Sequence, residues 1–176
     1  MGKRRNMKKS VTKKLVLAAL FTALTTIATA FLRIPLPLGY VNLGDAFVLL
    51  SAFVLGPLYG GIAAGLGSAL ADLLGYVTYA PGTLVIKALT AMVAYALYTL
   101  LRKKTNSFWS EIAGGLVGAI VMSCGYFIYE TLFFETISVA ALNLPWNLLQ
   151  GTVGTILAVS IMRILTATKY LEKLQR

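Results

Sequence analysis

The 176-residue sequence contains no histidine and a single cysteine, Cys124. Without imidazole, the commonest acid–base catalyst and most zinc or haem sites are excluded, and one thiol permits neither an intrachain disulfide nor a thiolate cluster. Charged residues are scarce, at 12% of the chain, against roughly 25% in an average soluble domain. Because 58% of the residues are hydrophobic and the mean hydropathy is +0.79, the composition excludes a water-soluble globular protein.

Recognisable catalytic motifs are also missing. The chain has no Walker A loop, no G-x-S-x-G elbow, no HExxH helix and no carboxylates spaced to hold a metal. We therefore predict a protein that is not an enzyme and has no cofactor or metal of its own. Any active transport would take its energy from another subunit or from an ion gradient.

The charge that is present is mostly basic and unevenly placed. Sixteen Lys and Arg against six Asp and Glu give a formal charge of +10, concentrated in residues 3–14, in residues 102–104 and at the carboxyl end in Lys169, Lys173 and Arg176. Such a charge is typical of nucleic-acid-binding proteins, but here long apolar stretches separate the basic clusters. This arrangement instead indicates a multi-pass protein of a bacterial cytoplasmic membrane, in contact with lipid and not with nucleic acid.

Six apolar runs predict six transmembrane helices in one membrane domain covering residues 1–176. The predicted helices are about 11–32, 43–55, 58–76, 83–101, 108–133 and 145–168, separated by charge or by Gly and Pro signals. The basic start and Ala28-Thr29-Ala30 imitate a signal peptide. The first apolar run is longer than a normal signal core, so we expect no cleavage.

The positive-inside rule then orients the bundle. Six helices place both termini on one side, and all three basic clusters come out cytoplasmic, while the loops near 34–42, 76–82 and 134–144 come out external. We therefore predict an all-α membrane bundle with both termini in the cytoplasm.

Ionisable residues inside predicted spans indicate a site. Asp45, Asp72, Lys87 and Glu130 all fall in the external half, and each costs several kcal/mol there unless a partner or water meets it. Their convergence predicts an outward-facing pocket for a small polar heteroaromatic molecule. The predicted binding set is Lys87, Glu130, Asp72, Tyr126, Asn143, Asn147, Tyr76, Tyr79 and Asn42.

Several of these residues have a structural alternative. Asp45 follows Asn42 by three residues before an apolar run, which favours helix capping over ligand contact. Lys87 could snorkel to the interface or pair with Asp72 or Glu130. Glu135 is interpreted as a solvated loop charge. Some of the external aromatic residues, Tyr79 among them, could belong to the interfacial belt.

A stand-alone ion-coupled transporter is an alternative function. It would need a polar path into the cytoplasmic half of the bundle, where the sequence offers only Arg163.

Four segments resemble the substrate-binding S components of energy-coupling factor (ECF) vitamin transporters: residues 42–61, 67–74, 79–87 and 143–150. The resemblance implies a protein that captures a vitamin outside, docks on a transmembrane coupling subunit with two cytoplasmic ATPases, and releases the vitamin inward. It also implies that Ala19 and Ala23, in an Ala-x-x-x-Ala pattern, contact the coupling subunit. The loop at 33–42 would gate the site.

The segments are most similar to S components for hydroxymethylpyrimidine or pyridoxine-type vitamins, with riboflavin as the alternative. Glu130 could bond the edge of an aminopyrimidine or a protonated pyridine nitrogen, and Lys87 could bond a phenolate or carbonyl oxygen. Thiamine is disfavoured, because its S components carry a site histidine that this chain lacks.

Overall fold

The structure is a computed structural model that describes the backbone of residues 2–36 and 39–168 and the side chains of 11–35 and 41–168. The predicted basic tail, Lys169, Lys173 and Arg176, lies outside these residues. The described chain forms six helices and one β-hairpin, in the order α1 Gly2–Phe31, β1 Arg33–Leu36, β2 Gly39–Asn42, α2 Gly44–Leu55, α3 Pro57–Asp72, α4 Ala80–Leu101, α5 Ser107–Phe133 and α6 Ile137–Ala167. The predicted all-helical architecture is therefore confirmed, apart from the hairpin.

Among the described residues, four helical segments are long and apolar enough to cross a membrane: Val11–Phe31, α4, α5 and α6. Helix α2 has 12 residues and α3 has 16, which gives lengths of about 18 and 24 Å. Both are shorter than the roughly 30 Å hydrocarbon core. A multi-pass protein follows from the four long helices, while the count of six spans and the cytoplasmic placement of the termini stay predictions.

Helix α2 lies at the centre of the bundle. Ten of its twelve residues are buried, and it packs on α1, α3, α4 and α6. Gly56, with a φ of 85°, permits the reversal from α2 to α3 at little steric cost, and Pro57 opens α3 at a position that suits proline. The two helices touch closely, because Ser51 Oγ donates to the Gly60 carbonyl at 3.0 Å.

Two boundaries differ from the sequence prediction at the ends of α3 and α4 that are predicted to be external. Helix α3 ends at Asp72, four residues before the predicted end at 76, so Tyr76 lies in the connection that follows. The Tyr76 N–H still donates to the Asp72 carbonyl at 2.6 Å, which keeps these residues adjacent. Helix α4 begins at Ala80, three residues earlier than predicted, and Lys87 lies about two turns inside it.

The connection predicted as a loop between the first two helices contains an antiparallel hairpin. Arg33 pairs with Asn42 at its base and Leu36 with Gly39 near its tip. The Leu43 N–H donates to the Leu32 carbonyl at 3.1 Å, so the hairpin closes directly on the end of α1 and the start of α2.

Helix α6 begins at Ile137 instead of Pro145. Proline is favoured in the first turn of a helix, but Pro145 lies inside α6, where it cannot donate to the carbonyl of Ala141. The predicted external loop 134–144 shrinks to residues 134–136. Asn143 and Asn147 consequently lie one turn apart on a helical face.

Gly60→Ala is expected to lower the free energy of unfolding by about 1–3 kcal/mol, the usual cost of overpacking. A Cβ at Gly60 would lie 2.5 Å from Ala52 Cα, whereas one at Gly75 would meet only the flexible Arg33 guanidinium at 3.7 Å. The measurement is detergent-micelle unfolding of both variants, with Gly75→Ala as the matched control. Equal stability of the two variants would contradict the close α2–α3 packing.

Candidate functional site

The central feature of the site is an ion pair inside the bundle. Lys87 Nζ of α4 donates to Asp45 Oδ1 of α2, and both side chains are almost fully buried, at 3% and 4% exposure. Met122 Sδ lies 2.8 Å from the ammonium, and the Tyr126 ring centroid lies 5.6 Å away, within the range of a cation–π contact. The ammonium therefore has a carboxylate, a thioether and an aromatic face around it.

This pairing corrects two predictions. The partner of Lys87 is Asp45, and not Asp72 or Glu130. Asp45 does not cap α2 either, since its two carboxylate oxygens accept from Lys87 and Gln150 instead. The reason is energetic, because a buried ammonium and a buried carboxylate each lose more by remaining unpaired than a helix end loses without a side-chain cap.

Gln150 of α6 extends the ion pair toward the hairpin. Its Nε2 donates to Asp45 Oδ2 at 2.7 Å, and its Oε1 accepts from Asn42 N and Asn42 Nδ2 at 3.0 and 3.1 Å. Asn42 Oδ1 in turn accepts from Gly44 N at 2.9 Å. Asn42, a predicted binding residue, thus contacts this network through Gln150, which was not in the predicted set. Gln150 lies seven residues after Asn143, about two helical turns along the same face, and this spacing was the signal in the sequence.

A small cavity adjoins Asp45. Its volume of about 10 Å³ is at the lower limit for holding one water molecule. Thr90, Met122 and Gly151 contribute to its wall. The cavity is too small for a heteroaromatic vitamin, so a site for one would lie nearer the ends of the helices.

A second polar group lies at the predicted external ends of α4, α5 and α6. Asn143 Nδ2 donates to Glu130 Oε2 at 3.0 Å, and Glu130 is 5% exposed. Thr83 Oγ1 and Tyr126 OH share a hydrogen bond at 3.0 Å. The structure therefore brings together the predicted site residues Glu130, Asn143 and Tyr126, each through a defined partner.

Aromatic rings cover this end of the bundle. Tyr79 stacks on Phe134 with centroids 5.2 Å apart and an interplanar angle of 25°. Tyr129 and Tyr76 meet the Tyr79 ring edge-on at 6.2 and 6.5 Å. Tyr129 OH donates to the Thr78 carbonyl at 2.8 Å. These contacts make Tyr79 part of an aromatic cluster with the predicted residue Tyr76.

The Tyr79 phenol remains neutral at physiological pH. Burial, followed by the nearby Glu130 carboxylate, raises the pKa of Tyr79 from 10.0 to about 12. Tyr79 can therefore donate a hydrogen bond at the edge of the cluster.

Two predicted site residues lie less centrally. Asp72 is buried at the last position of α3, beside the turn that carries Tyr76. Asn147 is partly exposed on α6 and is not hydrogen-bonded to either Glu130 or Gln150. Glu135, predicted as a solvated charge, is only partly exposed, and one of its oxygens is buried.

A second ion pair, which the sequence did not predict, joins a partly exposed arginine of α6 to a buried carboxylate of α5 near the predicted cytoplasmic side. Arg163 Nη2 donates to Glu111 Oε2, and Glu111 is fully buried. Ser107 Oγ donates to the other carboxylate oxygen at 2.6 Å. An acid one turn inside an apolar helix was the signal for it, and its pairing with Arg163 indicates a structural role for both charges.

The first helix presents Ala19 and Ala23 outward. Both are exposed, and the large apolar residues Val16, Leu20 and Ile27 are exposed beside them. This face is compatible with close approach of another helix, because small residues let backbones pack together in a membrane.

Among the described residues, no group of three or more Cys, Asp or Glu side chains could hold a metal ion. The fold and site thus define a multi-pass membrane bundle with buried charge pairs and an aromatic, polar end. A family model described as "ECF-type riboflavin transporter, S component" matches residues 9–167. The chain belongs to this family of vitamin-binding transporter subunits, which are not enzymes.

Two further similarities accompany the family match. A curated protein of Pyrococcus woesei, described as "Uncharacterized protein in gap 3'region", is 42% identical over 103 residues, which are 57% of this chain and 67% of that protein. A solved structure titled "Structure and mechanism of the S component of a bacterial ECF transporter" has a TM-score of 0.69 and 24% identity. The match covers 89% of this chain and 97% of that one, and it shows a shared fold. The resemblance to S components is thereby confirmed, but the hydroxymethylpyrimidine or pyridoxine subgroup is not.

Arg163→Met is expected to lower the free energy of unfolding by about 3 kcal/mol, because it leaves the Glu111 carboxylate buried without its cation. The double variant Glu111→Gln with Arg163→Met should cost less than this single change, since no charge stays unpaired. Unfolding in detergent measures both. A double variant less stable than Arg163→Met would contradict the charge-pair interpretation.

Proposed function

We propose that this protein captures riboflavin at the outer face of a cytoplasmic membrane and delivers it to an ATP-driven ECF importer. The match of residues 9–167 to the riboflavin S component family carries the proposal. A coupling subunit and two ATPases supply the energy, in keeping with the absence of a nucleotide-binding loop from the sequence. The basic clusters favour six membrane passages with both termini in the cytoplasm.

The aromatic end of the bundle suits a flavin ring. An isoalloxazine is a flat tricyclic system that stacks on aromatic faces, and Tyr79, Phe134 and Tyr129 supply such faces around one point. A cargo ring would take the place of one of these ring-to-ring contacts.

Glu130 and Asn143 suit the polar edge of that ring. One edge of a flavin carries an N–H between two carbonyl groups. The Glu130 carboxylate accepts and the Asn143 amide donates, 3.0 Å apart, so the pair can bond neighbouring N–H and carbonyl groups. Deeper in the bundle, the buried Lys87 ammonium lies 5.6 Å from the Tyr126 ring centroid and helps to position that ring.

Pyridoxine and hydroxymethylpyrimidine are the competing vitamins. Glu130 would accept from a protonated pyridine nitrogen or an exocyclic amino group. Their small rings would cover less of the aromatic cluster than a flavin covers, and the family description favours riboflavin.

The cargo is tested on protein purified in detergent from cells grown with all three vitamins. We expect mass spectrometry to find riboflavin at about one molecule per protein, and titration of the stripped protein to quench flavin fluorescence. Retention of pyridoxine or hydroxymethylpyrimidine instead would overturn the cargo assignment. If the protein binds none of the three, the proposed function fails.

Glu130→Gln is expected to weaken riboflavin binding about tenfold or more, since a hydrogen bond to a charged group contributes about 1.5–3 kcal/mol. The matched control is Glu135→Gln, which removes a carboxylate in the neighbouring α5–α6 connection and should leave the affinity within twofold. Equilibrium fluorescence titration measures both. Unchanged affinity in Glu130→Gln would place the site elsewhere.

Ala19→Trp is expected to leave riboflavin binding intact and to abolish uptake by the complete transporter. The bulky ring would prevent close approach of a coupling helix to the exposed Ala19–Ala23 face. Ile120→Trp, at an exposed apolar position of α5, is the control and should transport normally. Normal uptake by Ala19→Trp in proteoliposomes would exclude this face as the docking surface.

A further inference from the structure

We infer that Gln150 is a positioning residue that couples the Asp45–Lys87 ion pair to the end of strand β2. It touches no cargo in this role and acts through Asp45. The inference rests on the proposed function only for its effect on riboflavin affinity. Its structural core, a hydrogen-bond relay across four elements, stands on the contacts alone.

The hydrogen bonds of the relay allow only one orientation of each side-chain amide. Gly44 N–H donates to Asn42 Oδ1, so the Asn42 amide must turn its Nδ2 toward Gln150. Gln150 Oε1 accepts from that Nδ2 and from the Asn42 backbone N–H. The Gln150 amide must then turn its Nε2 toward Asp45, where it donates to Oδ2 at 2.7 Å.

The end of the relay fixes the carboxylate that holds Lys87. With Oδ2 occupied by Gln150, Asp45 presents Oδ1 to the Lys87 ammonium. Reversal of either amide would place two donors or two acceptors against each other in a buried site, where an unmet polar group is costly. The orientation of a strand-end amide and the position of a buried cation are therefore coupled.

The packing of α6 shows that the site is built for this contact. A Cβ at Gly154, one turn beyond Gln150, would lie 2.6 Å from Asp45 Cβ. Only glycine at this position lets α6 approach α2 closely enough for the Gln150–Asp45 hydrogen bond. Gln150, Asn42, Asp45 and Lys87 are each no more than 5% exposed, so bulk water does not reach these polar groups.

A swap of the carboxylate and the amide tests the relay. Gln150→Glu keeps the acceptor for both Asn42 donors but sets two carboxylates against each other, whereas Asp45→Asn sets two amides together and removes the partner charge of Lys87. The double variant Asp45→Asn with Gln150→Glu restores every hydrogen bond and the net charge. In it, the new amide on α2 donates to the new carboxylate on α6 and accepts from Lys87.

The first readout needs no vitamin. Hydrogen–deuterium exchange of the peptide covering 41–44, in detergent, reports the Asn42 N–H that Gln150 accepts. We expect each single variant to exchange about tenfold faster and the double variant to return within about threefold of the wild type. A double variant that exchanges as fast as the faster single variant would overturn the relay.

The second readout is riboflavin affinity. We expect each single variant to bind about tenfold more weakly and the double variant to recover most of the loss, a coupling that independent sites do not show. If the wild type binds no riboflavin, the proposed function fails while the exchange readout still decides the relay. Recovery of exchange without recovery of affinity would confine Gln150 to a structural role and would overturn its positioning role.

Two further variants keep the test decisive where a charge change prevents folding. Asn42→Ser removes the Nδ2 donor but leaves a hydroxyl that can accept from Gly44 N–H, so it should accelerate exchange moderately. Asn106→Asp is the control, because aspartate caps a helix as well as asparagine and Asn106 caps α5 through Trp109 N–H. Exchange at 41–44 that is unchanged in Asn42→Ser would contradict the relay.

Discussion

The arrangement of this bundle depends on the pairing of Asp45 with Lys87. Either charge alone would cost several kcal/mol in an apolar interior, so α2 and α4 must keep the register that joins them. Helix α2 is only 12 residues long and almost wholly buried. It is therefore a central helix enclosed by the others and not a lipid-facing span. The longer helices α4, α5 and α6 surround the Asp45 carboxylate with Lys87, Met122 and Gln150.

Small residues let the helices pack closely around α2. Gly154 allows α6 to touch Asp45, and Gly151 allows it to touch Ala119, since a Cβ at these positions would lie 2.6 and 2.4 Å from the neighbouring carbon atoms. In a membrane, where lipid removes the hydrophobic drive between helices, such close contact and interhelical hydrogen bonds supply the association. Polar pairing and glycine packing thus both hold the helices together, and both occur around Asp45.

The sequence predicts the helices well and their partners poorly. Hydropathy shows which segments are apolar, so the sequence predicts all six helices. The predicted start of α6 at Pro145 is eight residues too late, because the helix continues through this proline. The ionisable residues Asp45, Lys87 and Glu130 are visible in the sequence, whereas the choice of Asp45 over Asp72 for Lys87 depends on how α2 and α4 pack. The pairing of Glu111 is not predicted for a similar reason, since its partner Arg163 lies 52 residues away in the sequence.

The distribution of buried charge bears on mechanism. Asp45 with Lys87 and Glu111 with Arg163 are neutral pairs, joined within the bundle by salt bridges, and neither offers an uncompensated charge to a moving ion. Glu130 differs, because its hydrogen bond comes from Asn143, a neutral amide. A carboxylate held this way keeps acceptor capacity for a donor on a cargo molecule. The charge pattern therefore favours capture of a polar ring at the end of the bundle over ion conduction through it.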